Sequence, residues 1–427
     1  MKINGKDKKS FWLKLDNAAK VFPGQNSTTW SNSFRVCYEL NEKVDPAVLQ
    51  QALLDIMPRF SCYDVKIRHG FFWYYLEKNN NDPEVLYDIK NPCHRVKFNE
   101  NGMFLFKVYY HANRIVVDMY HVLSDGHGGA VFISTLVAQY LRLKGADIPV
   151  GGFVLPIDMK CTAGELEDSF GKNATSKAKF RNIDRYAYHA KGTKLPAHTV
   201  NITSGIIPFD KLHALSKAKG VTVTEFLAAV MIDVLIKKQR RDCKKQKDVN
   251  IQIPVDLRRI YNSETLRNFT ICLRVSVDPN KGAYTFDELL EQAKYQLRLG
   301  KTEKDLNVVI TSNMGLERNP FIKYLPLTVK NIAIGISFAI TGEQRTSSLI
   351  TNLGNVEIPA EMRQYINKFI FMPAPGKVNA ARIGVATCNN NLVITFANVY
   401  KESDLERDFF TSFVKMGLPV KIESNRE

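Results

Sequence analysis

Residues 117–129 read VDMYHVLSDGHGG, so His121, Asp125, His127 and three glycines fall within a few positions of one another. Alternation along the run from Arg114 to His121 places Ile115, Val117, Met119 and His121 on one strand face. His121 thus ends an otherwise apolar face, where partial desolvation favours the neutral imidazole and suits it to accept a proton near neutral pH. A core histidine satisfied by a backbone carbonyl is the plain alternative. Asp125-Gly126 supplies turn chemistry for leaving the strand, and Gly128 and Gly129 allow a tight entry into a helix. Asp125 either accepts from local backbone amides or pairs with a distant arginine.

Around this motif the pattern of elements is readable. NSFRVCYELN reads as a strand. DPAVLQQALLDIMPRF reads as a helix with Asp45 as N-cap and Pro46 at its first position. DVKIRHGFFWYYLEK reads as aromatic strand and core, and FLFKVYYH with RIVVDMYH as a hairpin about Ala112-Asn113. After the motif, AVFISTLVAQYLRLKG is an amphipathic helix that ends at Gly145. The second half again opens strand then helix, and Thr222 with Glu225 fits a capping box ahead of a long apolar helix. Strands are expected at VNIQIPVDLR, FTICLRVSV, NIAIGISFAI, SSLITNLG, ARIGVATCNN and LVITFANVY, with helices at TFDELLEQAKYQLR and SDLERDFFTSFVKMG. Strands and helices mix without strict alternation, which indicates an α+β class built of two sandwiches. At 427 residues the chain exceeds one ordinary core. The expected division is 1–165, a polar and basic crossover at 166–197, and 198–427.

His121-Val-Leu-Ser-Asp125-Gly126 resembles the HxxxDG motif of the superfamily that includes chloramphenicol acetyltransferase, plant BAHD acyltransferases, peptide-synthetase condensation domains and bacterial alcohol O-acetyltransferases. The resemblance extends along the chain through FRVCYELNEKVDPAVLQQALLDIMPRF, VTVTEFLAAVMIDVL, VDLRRIYNSETLRNFT (an arginine followed by an Asn-Phe pair) and TNLGNVEIP. WLKLDNAAKVFP near the start is most similar to the alcohol O-acetyltransferase branch. Tyr120 stands where condensation domains carry a second histidine, and the late DFGWG motif of the plant enzymes is missing.

This resemblance implies two chloramphenicol-acetyltransferase-like α/β sandwich domains with an active-site tunnel between them. It implies transfer of an acyl group, expected to be acetyl, from a CoA thioester to an alcohol hydroxyl in a ternary complex. His121 would be the general base, Asp125 with Gly126 the brace of its loop, and Arg258 the partner of Asp125. Thr351 and Asn352 would stabilise the oxyanion or line the site, or else serve the sheet alone. Acyl-CoA would be a co-substrate with no tightly bound cofactor, and the acceptor a small-molecule alcohol. An acyl carrier protein as donor, in polyketide, lipid or peptide synthesis, is the alternative. A non-catalytic ligand-binding or assembly protein on the same fold is the reading from another class.

Other signals exclude more than they assign. Hydrophobic residues make up 45% and charged residues 24% of the chain, an ordinary globular composition. The net charge of +16 suits polyanionic partners. The basic run KKQRRDCKKQK lacks interleaved aromatics, so it reads as a solvated loop and no nucleic acid is expected. Seven cysteines without a CxxC pair argue against a disulfide framework and structural zinc. Beside His121 and His127 no nearby Cys, Glu or third His completes a ligand set, with Asp125 and His111 the other candidates, so no metal is expected. No P-loop sequence occurs. No apolar run spans a bilayer, and the basic start lacks a continuous apolar stretch, so the expected location is the cytoplasm.

Overall fold

A computed structural model describes residues 11–26, 31–89, 91–93, 95–177, 186–337, 343–376 and 381–426. Asp45 caps the helix Pro46–Ile56 by accepting from the amides of Ala47 and Val48, and this helix packs beside Gly126–Leu143. Both lie over a five-stranded sheet in the order Ile366–Met372, Ser33–Leu40, Arg114–Tyr120, Phe106–His111, Val85–Tyr87. The register pairs Phe34 with Met119 and Val36 with Val117. These side chains share a core with Phe132 and Leu136 of the covering helix. The inner strands are therefore apolar where the helix covers them, as the alternation requires.

A seven-stranded sheet forms the other large layer, in the order Thr270–Val277, Val249–Asp256, Ser348–Asn355, Ala381–Cys388, Asn391–Asn398, Asn201–Pro208, Lys421–Ser424. Its principal helix, Val223–Asp242, starts with the expected capping box. Thr222 Oγ1 accepts from the Glu225 amide, and the Glu225 carboxylate accepts from the Thr222 amide. Helices Phe286–Gly300 and Asp404–Lys415 pack against it. A small third sheet joins Trp12–Lys14, Tyr74–Lys78 and Val65–His69.

Between the two large sheets, membership departs from chain order at one place among the described residues. Strand Ile366–Met372, late in the chain, completes the edge of the first sheet by antiparallel pairing with Ser33–Leu40. It also lies directly against the second sheet. A Cβ on Gly384 would meet the Phe371 carbonyl oxygen at 2.1 Å, so only glycine lets the two layers approach there.

One expectation fails locally. The run NIAIGISFAI reads as a strand, yet its described part belongs to the helix Leu327–Ser337, while residues 338–340 lie outside the described residues. Short apolar runs do not separate strand from helix by periodicity. Here Leu327, Lys330, Asn331 and Ile334 recur at helical spacing and face inward. The helix Glu303–Arg318 that precedes it has no counterpart in the sequence reading.

Candidate active site

Strand Arg114–Tyr120 ends one residue before His121, whose amide donates to the Asn32 carbonyl at 3.2 Å. The half-buried imidazole lies between two rings. Phe22 stacks on it with centroids 5.0 Å apart and planes at 25°, and Phe34 meets it at 4.8 Å, tilted by 58°.

Asn268 meets both the ring and the backbone of His121. Its Oδ1 lies 3.3 Å from His121 Nδ1, while its Nδ2 donates to the His121 carbonyl at 2.9 Å and to Asp16 Oδ2 at 3.1 Å. A backbone carbonyl can only accept, so the amide nitrogen must point towards it. Oδ1 is then left to accept from Nδ1–H, which leaves the lone pair on Nε2. Burial lowers the pKa of His121 below its ordinary value. The Asp125 charge and the hydrogen bonds to Asn268 and the Ser124 backbone oppose that effect, and Arg382 adds to it. The group is a neutral base at pH 7.

Asp125 faces the other way and holds the loop. It caps the helix Gly126–Leu143 and receives both Arg258 Nη atoms, each at 3.0 Å. The Phe269 amide donates to it at 2.9 Å and the Thr270 hydroxyl at 2.7 Å. Although burial opposes its charge, the Arg258 guanidinium and these donors hold its carboxyl far below the usual range. Arg258 also donates to the carbonyls of Thr265 and Arg267, tying the helix start to the segment that carries Asn268. Beside it, a Cβ on Gly128 would lie 2.1 Å from Ser124 Oγ and 2.4 Å from the Leu266 carbonyl, so the position accepts no side chain.

The second sheet reaches this point through strand Ser348–Asn355. Leu353 presses on Gly126, where a Cβ would lie 2.6 Å from Leu353 Cδ2. Asn352 turns to the opposite side, donating to Thr224 Oγ1 at 3.0 Å and accepting from the Gly354 amide at 2.8 Å. Of the two residues named from the sequence, Asn352 is engaged by Thr224 and the Gly354 amide, and Thr351 pairs with Gly384 of the neighbouring strand. His127 lies 3.9 Å from Asp256 and packs edge-on to Phe153. Tyr120 points into the core, with its ring 6.1 Å from Phe98.

The sequence marked Asn268 only as half of the Asn-Phe pair, and Asp16 and Phe22, which both lie inside WLKLDNAAKVFP, were not singled out. The basic run is partly consumed by ion pairs. Lys238 contacts Asp242 at 2.9 Å and Asp404 at 2.5 Å, and Arg241 contacts Asp408 at 2.8 Å. Among the described residues, no three His, Cys, Asp or Glu side chains converge as a metal site, and no helix is long and apolar enough to cross a membrane.

No family model and no curated protein matches the chain. Solved structures do. Polyketide synthase associated protein 5 from Mycobacterium tuberculosis is 14% identical with a TM-score of 0.62, covering 94% of this chain and 97% of its own. TRI101 of F. sporotrichioides, solved with coenzyme A and T-2, is 11% identical with a TM-score of 0.63, covering 97% and 100%. The TRI3 trichothecene 15-O-acetyltransferase from Fusarium sporotrichioides is 14% identical with a TM-score of 0.56, covering 97% and 96%. The chain has the condensation-domain and acyltransferase fold. Condensation domains of peptide and polyketide synthetases share this mixed α/β arrangement with it.

Proposed function

We propose that the protein is a cytoplasmic acyltransferase that moves an acyl group, acetyl in the simplest case, from a CoA thioester to an alcohol. The observation that carries this reading is His121. It is half-buried and neutral, and Asn268 holds it so that Nε2 keeps its lone pair. In this proposal the halves are residues 1–165 and 198–427, joined by a crossover at 166–197, with strand Ile366–Met372 returning to the first sheet and the site in a tunnel between them. The fold shared with a 15-O-acetyltransferase and with a protein that binds coenzyme A supports the substrate class.

In the reaction, Nε2 of His121 takes the hydroxyl proton as the acceptor oxygen bonds to the thioester carbonyl carbon. Negative charge moves to the carbonyl oxygen, and in this proposal the Thr351 hydroxyl is the donor that stabilises it. The C–S bond then breaks, and the departing thiolate recovers the proton from the imidazolium. No acyl-enzyme forms. Asp125 and Arg258 take no part in proton transfer and keep the loop rigid. The test is thiol release from acetyl-CoA and longer acyl-CoAs with a panel of alcohols. His121→Ala should lower the rate by about 100- to 10,000-fold. Full activity in that variant removes the assignment.

The structural likeness to condensation domains supports a second reading, in which an acyl carrier protein is the donor. Transfer from the acylated carrier protein but not from acyl-CoA selects it.

A further inference from the structure

The helix Leu327–Ser337 has apolar residues on both its sides. Its inward side carries Lys330 and Asn331 beside Leu327 and Ile334. Lys330 Nζ donates to the carbonyls of Phe72 and Lys323, both at 2.9 Å, and sits 3.7 Å from the Trp73 ring centroid. Asn331 donates to the Tyr74 hydroxyl at 2.9 Å. Its outward side carries Val329, Ile332 and Ile336, with Ile332 65% exposed. A helix with only one face in the core ordinarily turns polar side chains to water on the other. The outward face is therefore matched to an apolar covering.

The neighbouring surface extends the same character. Phe321 is 86% exposed and Phe71 is 73% exposed. The two segments are joined, because the Leu327 amide donates to the Phe71 carbonyl and the rings of Phe72 and Tyr324 lie 5.9 Å apart. A contiguous apolar surface of this kind marks an interaction site. Charge indicates what covers it. Residues 319–337 contain no Asp or Glu, and their exposed lysine is Lys323. An adjoining cavity of about 650 Å³ is lined by Trp12, Phe71 and Phe72 together with Lys14 and Lys323. The two glutamates at that cavity are already engaged, Glu317 by Lys20 and Glu77 by Lys66 and Arg68. A surface of aliphatic and aromatic side chains bordered by lysines matches the boundary between anionic headgroups and acyl chains.

We propose that this face docks on an anionic lipid bilayer. The helix lies in the plane of the interface, with Ile332 and Phe321 entering the acyl region and Lys14 and Lys323 meeting the phosphates. A second copy of the chain is the poorer occupant, since it would bring like-charged lysines together. The surface lies close to His121. The helix packs on Phe22–Gln25, where a Cβ on Gly24 would be 3.3 Å from both Asn331 and Ile334, and Phe22 stacks on the imidazole.

The test is flotation of the full chain with vesicles of phosphatidylglycerol mixed with phosphatidylcholine, and with vesicles of phosphatidylcholine alone. Binding is expected to the anionic vesicles, weakening as salt rises. Phe321→Ser and Ile332→Ser should each reduce partitioning by about tenfold or more, because each withdraws a large apolar side chain from the acyl region. Both residues are exposed, so circular dichroism should show an unchanged fold. No binding to anionic vesicles, or binding indifferent to both substitutions, overturns the proposal. So does a dimer by light scattering that the same substitutions dissolve, which would assign the face to a second copy.

Discussion

Asn268 grips His121 at two points, accepting at Oδ1 from the ring and donating from Nδ2 to the carbonyl of the same residue. The two contacts are 147 positions away in the chain, and together they fix both the ring orientation and its tautomer. One side chain thus decides which nitrogen of His121 is basic.

Replacing Asn268 should therefore change a pH profile as well as a rate. The base works when neutral, so activity rises as pH increases through the folded pKa, which lies below the ordinary value of about 6.5. The Asn268 hydrogen bond raises that pKa, so Asn268→Ala should move the acid limb of kcat/KM to lower pH while lowering kcat. A limb that stays in place would mean that Asn268 serves packing alone.

Asp16 should give a stability signature. It is fully buried, accepts from the Ala19 amide at 2.7 Å and from Asn268, and burial pushes its carboxyl up to about 6. The folded state then holds the proton more tightly than the unfolded chain. The stability this group contributes is complete below about pH 4 and is lost as pH rises to about 6, a change of roughly 3 kcal/mol. Urea unfolding across pH 4–7 should show this fall as a difference in slope between the native protein and Asp16→Asn. Parallel curves would contradict it.

The Asp125–Arg258 pair should behave as a brace. Asp125→Ala removes the buried carboxylate from Arg258 and leaves it only the half-exposed Asp256 at 2.8 Å, a loss of about 3 kcal/mol. The folded pKa of Asp125 is depressed, so its contribution is present above about pH 4 and declines as pH falls below that value. Thermal unfolding of the variant at pH 7 measures the loss. An unchanged midpoint accompanied by lost activity would instead place Asp125 in the chemistry.

Two glycines two residues apart should respond differently to alanine. At Gly128 the new Cβ meets the Leu266 carbonyl at 2.4 Å and the Tyr63 hydroxyl at 2.5 Å, groups held by their own hydrogen bonds. Overpacking there should cost about 3 kcal/mol or more. At Gly126 the closest atom is the end of the Leu353 side chain, which can turn away. Gly126→Ala should fold, with a midpoint close to native, and Gly128→Ala should not. Equal midpoints would refute the distinction.

Local chemistry in the sequence determined the caps at Asp45 and at Thr222 with Glu225, the apolar face that His121 ends, and the helix that Asp125 opens. Each depends on residues within a few positions of one another, where backbone geometry leaves few choices. The resemblance added Arg258 and the two-layer plan. Tertiary structure alone decided that Asn268 and Phe22 hold the imidazole, that Asn352 bonds to Thr224, and that Ile366–Met372 completes the first sheet. It also made residues 331–337 helical with their aliphatic side outward. Periodicity records which side chains are apolar, but it does not record what will cover them. That is set by contacts between segments hundreds of residues apart, and here the outward aliphatic face meets no other part of the described chain.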